Sequence, residues 1–285
     1  MSAEAARVPM DPVPCRICLG TQGFSPLDWV GTFYPPGFSP RLFLAFYARA
    51  FDTVEMNTTF YAIPSAATVR GWASRVPPHF RFTAKMPRSI THDRQLEDVE
   101  ADMLGFVERV RLLGDKLGAI LIQFPASFTR RFERRLRSFL PLLPADVRFA
   151  AEFRHASWHD EAVFDLLRDY GVAWCVNQWQ DLPMMVRTTA NFAYFRLLGH
   201  HSHFTYLGRI QCDRSQELAT LAETIRDLAL RVSQVFLYVN NHYAGHAPAT
   251  VAQLQELLGL PTTDPRSLWP EQPLTLPGMP DPTTQ

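Results

Sequence analysis

Eight short apolar runs, separated by longer segments of helical period, constrain the fold of this chain more than any other feature. The runs are predicted strands at 16–22, 53–57, 81–86, 119–124, 148–153, 173–177, 193–198 and 235–240. Between them apolar residues recur at the i, i+3 and i+7 spacing of a buried helix face, most clearly at 217–232. Only the segment between the sixth and seventh runs lacks a helix signal.

Strands that alternate with helices predict a parallel sheet, because each crossover returns the chain to the same end of the sheet. Eight such units in about 250 residues match a single α/β domain of the (β/α)₈ TIM-barrel type. An open doubly wound sheet is the alternative, but the turn GTQGFSPLDW after the first run lacks the glycine-rich phosphate pattern of that fold. We expect a barrel at 15–260, an N-terminal extension at 1–14 and a tail at 261–285 that contains seven prolines.

Composition excludes several classes of protein. The formal net charge is zero, so no overall field attracts nucleic acid or an anionic membrane. The four cysteines are too few for a disulfide framework in a chain of this length. The sequence has no run of about 18 apolar residues and no secretory signal at its start. We therefore expect a cytoplasmic protein without a membrane partner.

Polar residues stand at the end of every predicted strand. In a barrel the carboxyl ends of the strands converge on one mouth, where polar side chains face the active site. Glu55 and Asn57 are two residues apart and so point the same way, as do Glu152 and Arg154. The polar ends are Thr21-Gln22, Glu55 with Asn57, Lys85, Gln123, Glu152 with Arg154, Asn177, Arg196 and Asn240-Asn241. Together they predict a polar site at the mouth.

Several motifs resemble the YecE-like family, also described as domain of unknown function 72. They are GTQGF, FDTVEMNTTFYAIPS, FRFTAKMPRSITH, LGDKLGAILIQFP, AEFRHASW, YFRLLG and FLYVNNHYAGHAP, and they cover about 16–259 in the family's order. The resemblance implies a TIM barrel without an established activity. It matches the family's motif residues to Glu55, Asn57, Tyr61, Lys85, Thr91, His92, Gln123, Glu152, Arg154, Trp158, Arg196, Asn240 and Asn241.

The first, sixth and seventh strands depart from the family pattern. Gln22 and Phe24 stand where the family usually has serine and tryptophan, and Asn177-Gln178 replaces a common acidic residue. The family's Leu-His-Gly sequence in the seventh strand is Leu198-Gly199 preceded by Leu197.

Two carboxylates and three cations define the expected chemistry. Paired carboxylates such as Glu55 and Glu152 are typical of glycoside hydrolysis. Arg154 would keep Glu152 ionised, which leaves Glu55 as the acid/base group. The predicted catalytic residues are Glu55, Glu152, Lys85 and His92, and the predicted substrate-binding residues are Asn57, Tyr61, Gln123, Arg154, Trp158, Arg196, Asn240 and Asn241. A purely structural network of Glu152, Arg154 and Arg196 is an alternative, and a Schiff base on Lys85 is another.

These residues predict an enzyme of the hydrolase, lyase or isomerase type that acts on a small polyhydroxylated or phosphorylated anionic substrate. Lys85, Arg154 and Arg196 would bind its anionic group. No fixed spacing of metal ligands occurs, so a divalent metal cofactor is possible but not favoured. The alternatives are a nucleic-acid-binding barrel of the abasic-site-endonuclease type, which zero net charge disfavours, and a non-catalytic interaction protein.

Overall fold

Eight parallel strands form a closed barrel in the computed structural model, which describes residues 14–178, 182–199 and 204–270. Each strand pairs with the next, and the first also pairs with the eighth, so that the sheet has no free edge. The strands are β1 Arg16–Gln22, β2 Thr53–Met56, β3 Arg81–Lys85, β4 Leu117–Gln123, β5 Phe149–Glu152, β6 Ala173–Gln178, β7 Phe192–Leu197 and β8 Gln234–Val239. The predicted TIM barrel is confirmed, and every predicted strand lies within about two residues of its position in the structure.

Helices follow most of the strands and pack on the outside of the barrel. They are α1 Phe43–Ala50, α2 Ala66–Ser74, α3 Glu100–Val110, α4 Glu133–Phe139, α5 Glu161–Asp169, α6 Ser215–Ala229, α7 Asn241–Ala244 and α8 Ala247–Leu258. The described residues between β6 and β7 contain no helix, as the sequence predicts. Two large apolar side chains of these segments face solvent: Leu104 on α3, and Tyr170 directly after α5.

Side chains alternate between the two faces of each strand, which separates two cores. The larger core lies between the sheet and the helices. The smaller core fills the barrel, with aromatic rings from β7 and β8 against small or medium side chains from the other strands. Its members are Cys18, Ala119, Leu121, Ala150, Ala173, Cys175, Phe192, Tyr194, Phe236 and Tyr238. The interior below the mouth is therefore a packed core and not a channel.

Gly118 gives the barrel interior room for one of these rings. A β-carbon at this position would lie 2.8 Å from the Phe236 ring, closer than side chains normally approach. The pairing of β3 with β4 shifts register at the same point, between Phe82 and Thr83. The missing side chain and the local irregularity together accommodate the large ring from β8.

The start of the predicted tail packs against the barrel. A 3₁₀ helix spans Pro265–Leu268, and the Nε1 of Trp269 donates a hydrogen bond to the carbonyl oxygen of Phe33 at 3.2 Å. The rest of the predicted tail, 271–285, and residues 1–13 of the predicted extension lie outside the described residues. Within the described part of the chain, no helix combines the length and the apolar composition needed to cross a membrane.

Candidate functional site

The candidate site is the last inward-facing layer of side chains at the carboxyl ends of the strands. Alternation along each strand places these side chains directly above the packed interior. Gln22 on β1, Glu55 on β2 and Lys85 on β3 contribute to one side of the layer. The other strands contribute Gln123 on β4, Glu152 on β5, Asn177 on β6 and Arg196 on β7, with Asn240 directly after β8.

Arg196 links the two glutamates across the barrel. Its Nη1 donates to Glu152 Oε2 at 2.5 Å, and its Nη2 donates to Glu55 Oε1 at 2.8 Å. The Arg196 side chain is 3% exposed, and both carboxylates are completely buried. The guanidinium and the two carboxylates therefore form one buried ion-pair network, in which each charge compensates for the loss of water around another.

Tyr194 completes the hydrogen bonding of Glu55 from below. The Tyr194 hydroxyl donates to Glu55 Oε2 at 2.7 Å and lies 2.9 Å from Thr83 Oγ1. Each Glu55 oxygen thus has a donor, one from Arg196 and one from Tyr194. Both carboxylate oxygens are therefore occupied by hydrogen bonds within the protein, and neither is exposed to a ligand.

Glu152 is held as a carboxylate by two arginines. Its Oε1 accepts a hydrogen bond from the Nε of Arg154 at 2.7 Å. Burial alone would raise the pKa of Glu152, but the positive charges of Arg196 and Arg154 outweigh it and lower the pKa to about 2. The network of Glu152, Arg154 and Arg196, given above as an alternative to catalysis, is present. It does not supply the protonated, accessible partner that a glycosidase carboxylate pair requires.

Lys85 differs from the two arginines because no acidic side chain in the described part of the chain forms an ion pair with it. Among the described residues, no carboxylate oxygen lies within 4.0 Å of its amine. The Nζ atom lies 3.8 Å from the centre of the Phe60 ring instead. Burial, with repulsion from Arg196, lowers the pKa of Lys85 to about 7, although Glu152 and Glu55 partly oppose this shift. The amine is therefore able to gain or lose a proton near neutral pH.

His92 lies beside the same aromatic ring. It belongs to a single π-helical turn, Ser89–Asp93, which follows β3. Its ring is 4.9 Å from that of Phe60, and its Nδ1 is 2.9 Å from Thr91 Oγ1. Burial, with the positive charges of Lys85 and Arg154, lowers the pKa of His92 to about 4. The imidazole is therefore neutral at pH 7 and available as a hydrogen-bonding group.

Amide side chains surround the charged centre. Gln123 Nε2 donates to the carbonyl oxygen of Phe124, and Asn240 Nδ2 donates to Gln22 Oε1. Buried amide atoms of Gln22 and Asn57 have no hydrogen-bond partner among the described residues. Such atoms mark places where water or a ligand would complete the hydrogen bonding.

Three predicted substrate-binding residues have side chains that are enclosed by other residues of the protein. Trp158 is fully buried, stacks on Phe128 and donates its Nε1 hydrogen bond to the carbonyl oxygen of that residue. Asn241 is buried and accepts hydrogen bonds from Trp29 Nε1 and the backbone of Ala247. Both side chains are therefore held by contacts within the protein, and their contact with a substrate stays a prediction.

Arg196 is the third of these enclosed residues. Two of its nitrogen atoms bind Glu55 and Glu152, and its side chain is almost inaccessible. Its predicted contact with an anionic ligand stays a prediction. Tyr61 has the opposite environment, because it is 80% exposed with its ring 5.2 Å from that of Phe60. Its position at the edge of the mouth is compatible with a ligand contact, which stays a prediction.

Sequence reasoning missed Tyr194 and Thr83, the groups that support Glu55. Tyr194 lies two residues before Arg196 and Thr83 two before Lys85, so the period of two could have indicated that they share the inward face. Among the described residues, no three or more histidine, cysteine, aspartate or glutamate side chains are grouped as metal ligands. The histidine-rich segment that contains His200, His201 and His203 lies outside the described residues.

Comparisons with known proteins give a consistent result. A family model described as "Protein of unknown function DUF72" matches residues 18–274. The crystal structure of a DUF72 family protein from Thermotoga maritima has a TM-score of 0.73 and 32% sequence identity, covering 84% of this chain and 97% of that protein. The UPF0759 protein YunF of Bacillus subtilis is 24% identical over 274 residues, which span 86% of this chain and 95% of YunF.

The UPF0759 protein YecE of Escherichia coli is similar over a shorter region. It is 36% identical over 109 residues, which are 38% of this chain and 40% of YecE. The matched part of this chain thus spans two fifths of the length of YecE. The names of these relatives state no activity.

Proposed function

This chain belongs to the DUF72 family of proteins of unknown function, and from that premise we propose that it is an enzyme that acts on a small anionic, hydroxyl-bearing substrate at the barrel mouth. In this proposal Lys85 transfers a proton or bonds the substrate directly, and Arg154 binds its anionic group. Glu55, Arg196 and Glu152 fix the electrostatic environment beneath them. The reaction is of the lyase or isomerase type, since both types begin with proton transfer or addition at a substrate carbon.

The observation that carries the proposal is the unpaired charge of Lys85. The two carboxylates of the network face two arginines, Arg196 and Arg154, so their charges balance. A protonated Lys85 adds one positive charge that no acidic group within ion-pair distance compensates among the described residues. A bound anion would compensate it, and the 14% exposure of the Arg154 side chain gives a ligand access to a second cation.

We assign the acid/base role to Lys85 and not to Glu55. Both Glu55 oxygens accept hydrogen bonds, and the side chain has no contact with solvent. The pKa of Lys85, lowered to about 7, lies where a general acid or base works best at neutral pH. Glu55 then acts through Arg196, by holding its positive charge beside the amine.

No specific observation favours the nucleic-acid alternative. Arginines in the segments that follow β3 and β4 are paired with acidic neighbours, as in Arg88 with Asp93 and Arg94 with Asp102. Arg130 is similarly paired with Glu133. Such pairs reduce the positive field that a nucleic-acid backbone would need.

Anion binding is the first test of this function. We expect inorganic phosphate and glycerol phosphate to raise the melting temperature of the wild-type protein as their concentration increases. Lys85→Met and Arg154→Met should reduce this response, whereas Arg88→Met should keep it, because Arg88 pairs with Asp93 on the surface. If no anion raises the melting temperature of the wild-type protein, or if Arg88→Met loses the response equally, the proposed anion site is wrong.

Turnover separates an enzyme from a binding protein. Deuterium exchange from solvent into small phosphorylated and carboxylated sugars, followed by proton NMR, detects proton transfer without knowledge of the final product. We expect exchange with the wild-type protein and a loss of about 10²–10⁴ in rate in Lys85→Met. Anion binding without exchange or conversion of any member of such a panel would favour the non-catalytic alternative.

A further inference from the structure

Lysine is rare in this chain, and one of its two lysines lies in the mouth. Of the 28 lysine and arginine residues, only Lys85 and Lys116 are lysines. Arginine stays protonated under all ordinary conditions, so it cannot supply a nucleophilic nitrogen. The amine of Lys116 donates hydrogen bonds to the carbonyl oxygens of Ala73 and Val76. Lys85 is thus the one described lysine whose amine lies at the candidate site.

The surroundings of Lys85 favour a neutral amine that is protected from water. The Phe60 ring covers its Nζ atom at 3.8 Å, and the arginines of the network lie nearby. Because the pKa of Lys85 is lowered to about 7, its neutral fraction at pH 7 exceeds that of an ordinary lysine on the order of a thousandfold. The charged and titratable groups around the amine are Arg196, Arg154, Glu152, Glu55 and the neutral His92.

We propose that Lys85 forms an imine with the carbonyl carbon of its substrate, which is therefore a small anionic aldehyde or ketone. This inference rests on the proposed function and names the class of substrate for the same site. Arg154, with its side chain at the solvent side of the network, binds the anionic group of that substrate. The buried carboxylates of Glu55 and Glu152 stabilise the positive charge that a protonated imine carries.

The covalent step is balanced without an additional reagent. The lone pair of the neutral Nζ forms a bond to the carbonyl carbon, and a proton moves from nitrogen to the carbonyl oxygen to give a carbinolamine. The second nitrogen-bound proton and the hydroxyl group then leave as water, which forms the C=N bond. Protonation of the imine nitrogen gives an iminium ion that withdraws electrons from the neighbouring carbon. Proton loss or bond cleavage at that carbon follows in isomerases and lyases that use this chemistry.

Reductive trapping tests the imine directly. Wild-type protein is incubated with sodium cyanoborohydride and either dihydroxyacetone phosphate or pyruvate, two anionic carbonyl compounds. The hydride converts an iminium ion into a stable secondary amine, which peptide mapping by mass spectrometry assigns to Lys85, Lys116 or the α-amino group. We expect Lys85 to be modified at least about tenfold faster than Lys116 with one of these probes. Similar rates at the two lysines would overturn the proposal.

Two variants distinguish reaction at the Lys85 amine from unspecific reaction of the probe with any lysine. Lys85→Arg keeps the charge but removes the nucleophile, so it should lose the adduct, whereas Lys116→Arg should keep it. Excess inorganic phosphate should slow the trapping of dihydroxyacetone phosphate on Lys85 if Arg154 binds the phosphate group of this probe. An unchanged rate at Lys85 in the presence of phosphate, although phosphate raises the melting temperature, would contradict the role given to Arg154.

The results distinguish this inference from the proposed function. If Lys85 is not trapped but the anion-dependent rise in melting temperature and solvent exchange are present and depend on Lys85, the imine is wrong and the proton-transfer function stands. If trapping, the anion response and exchange are all absent, the proposed function fails as well. An adduct that forms on Lys85 in the wild-type protein and is absent in Lys85→Arg supports both the imine and the proposed function.

Discussion

Arg196 on β7 and Glu55 on β2 lie 141 residues apart in the sequence, yet their side chains form a buried ion pair of 2.8 Å. The same guanidinium bonds Glu152 on β5, so that three strands are joined through one side chain. Removing one partner of such a pair leaves the other charge buried and uncompensated. The network is therefore a structural element of the barrel as well as the electrostatic base of the candidate site.

Glu55→Gln is predicted to destabilise the protein by about 3–5 kcal/mol, because the substitution removes a charge that compensates buried Arg196. Urea unfolding followed by circular dichroism measures this change. Glu133→Gln is the matched control, since Glu133 pairs with two arginines at the surface, and it should cost less than about 1 kcal/mol. Equal small effects in both variants would mean that the buried pair contributes no more than a surface pair.

Tyr194→Phe is predicted to cost about 1.5–3 kcal/mol, because the lost hydroxyl donates to the charged Glu55. Tyr170→Phe, at an exposed position, should change the free energy of unfolding by less than about 0.5 kcal/mol. The double variant Tyr194→Phe with Glu55→Gln should cost less than the sum of the two single changes, since the residues share a bond. Strict additivity would argue against that bond in solution.

Lys85 makes stability depend on pH in a defined window. Its pKa is lowered from 10.5 in the reference state to about 7 in the folded protein, so between these values the unfolded chain binds more protons. The free energy of unfolding should therefore rise with pH from about 7 towards 10.5 through this group, and Lys85→Met should remove that part of the slope. Urea unfolding of both proteins at several pH values measures the difference.

The same pKa can be measured without unfolding. Because the chain has only two lysines, ¹³C labelling of the lysine ε-carbons should give two NMR signals. Lys85→Met identifies the Lys85 signal by its loss, and in the wild-type protein that signal should titrate near pH 7. A Lys85 signal that titrates only above about pH 10, as an ordinary lysine does, would contradict both proposals.

Gly118→Ala and Gly105→Ala are predicted to act in opposite directions. A β-carbon at Gly118 meets the Phe236 ring at 2.8 Å, so the substitution should destabilise the barrel by about 1–3 kcal/mol. A β-carbon at Gly105, in the exposed part of α3, meets no atom within 4 Å. Alanine should stabilise that helix by about 0.5–1 kcal/mol. Thermal unfolding of the two variants measures both signs.

Contacts between site residues of the same strand could be predicted from the sequence, whereas contacts between distant strands were harder to predict. The period of two correctly indicated that Glu152 and Arg154 share a face, and they form the bond of 2.7 Å. The contact of Arg196 with Glu152 was named as an alternative, but the second contact of Arg196, with Glu55, was not predicted, because the period of two does not show which strands contact each other across the barrel. A loop residue after a strand end can turn either towards the mouth or beneath the loop, and the local sequence around Trp158 does not distinguish the two; in the structure its ring is buried against Phe128.

The sequence by itself determined the eight strands, their order and the position of polar residues at the carboxyl ends of those strands. These features depend on the local hydrophobic period and on the alternation of strands with helices. Only the tertiary structure decided the partners and the burial of those side chains. Glu55 and Lys85 stand near the ends of adjacent strands, yet the first is enclosed by Arg196 and Tyr194 and the second faces the Phe60 ring. Burial and the sign of the nearest charge set a pKa, and both depend on residues far away in the chain.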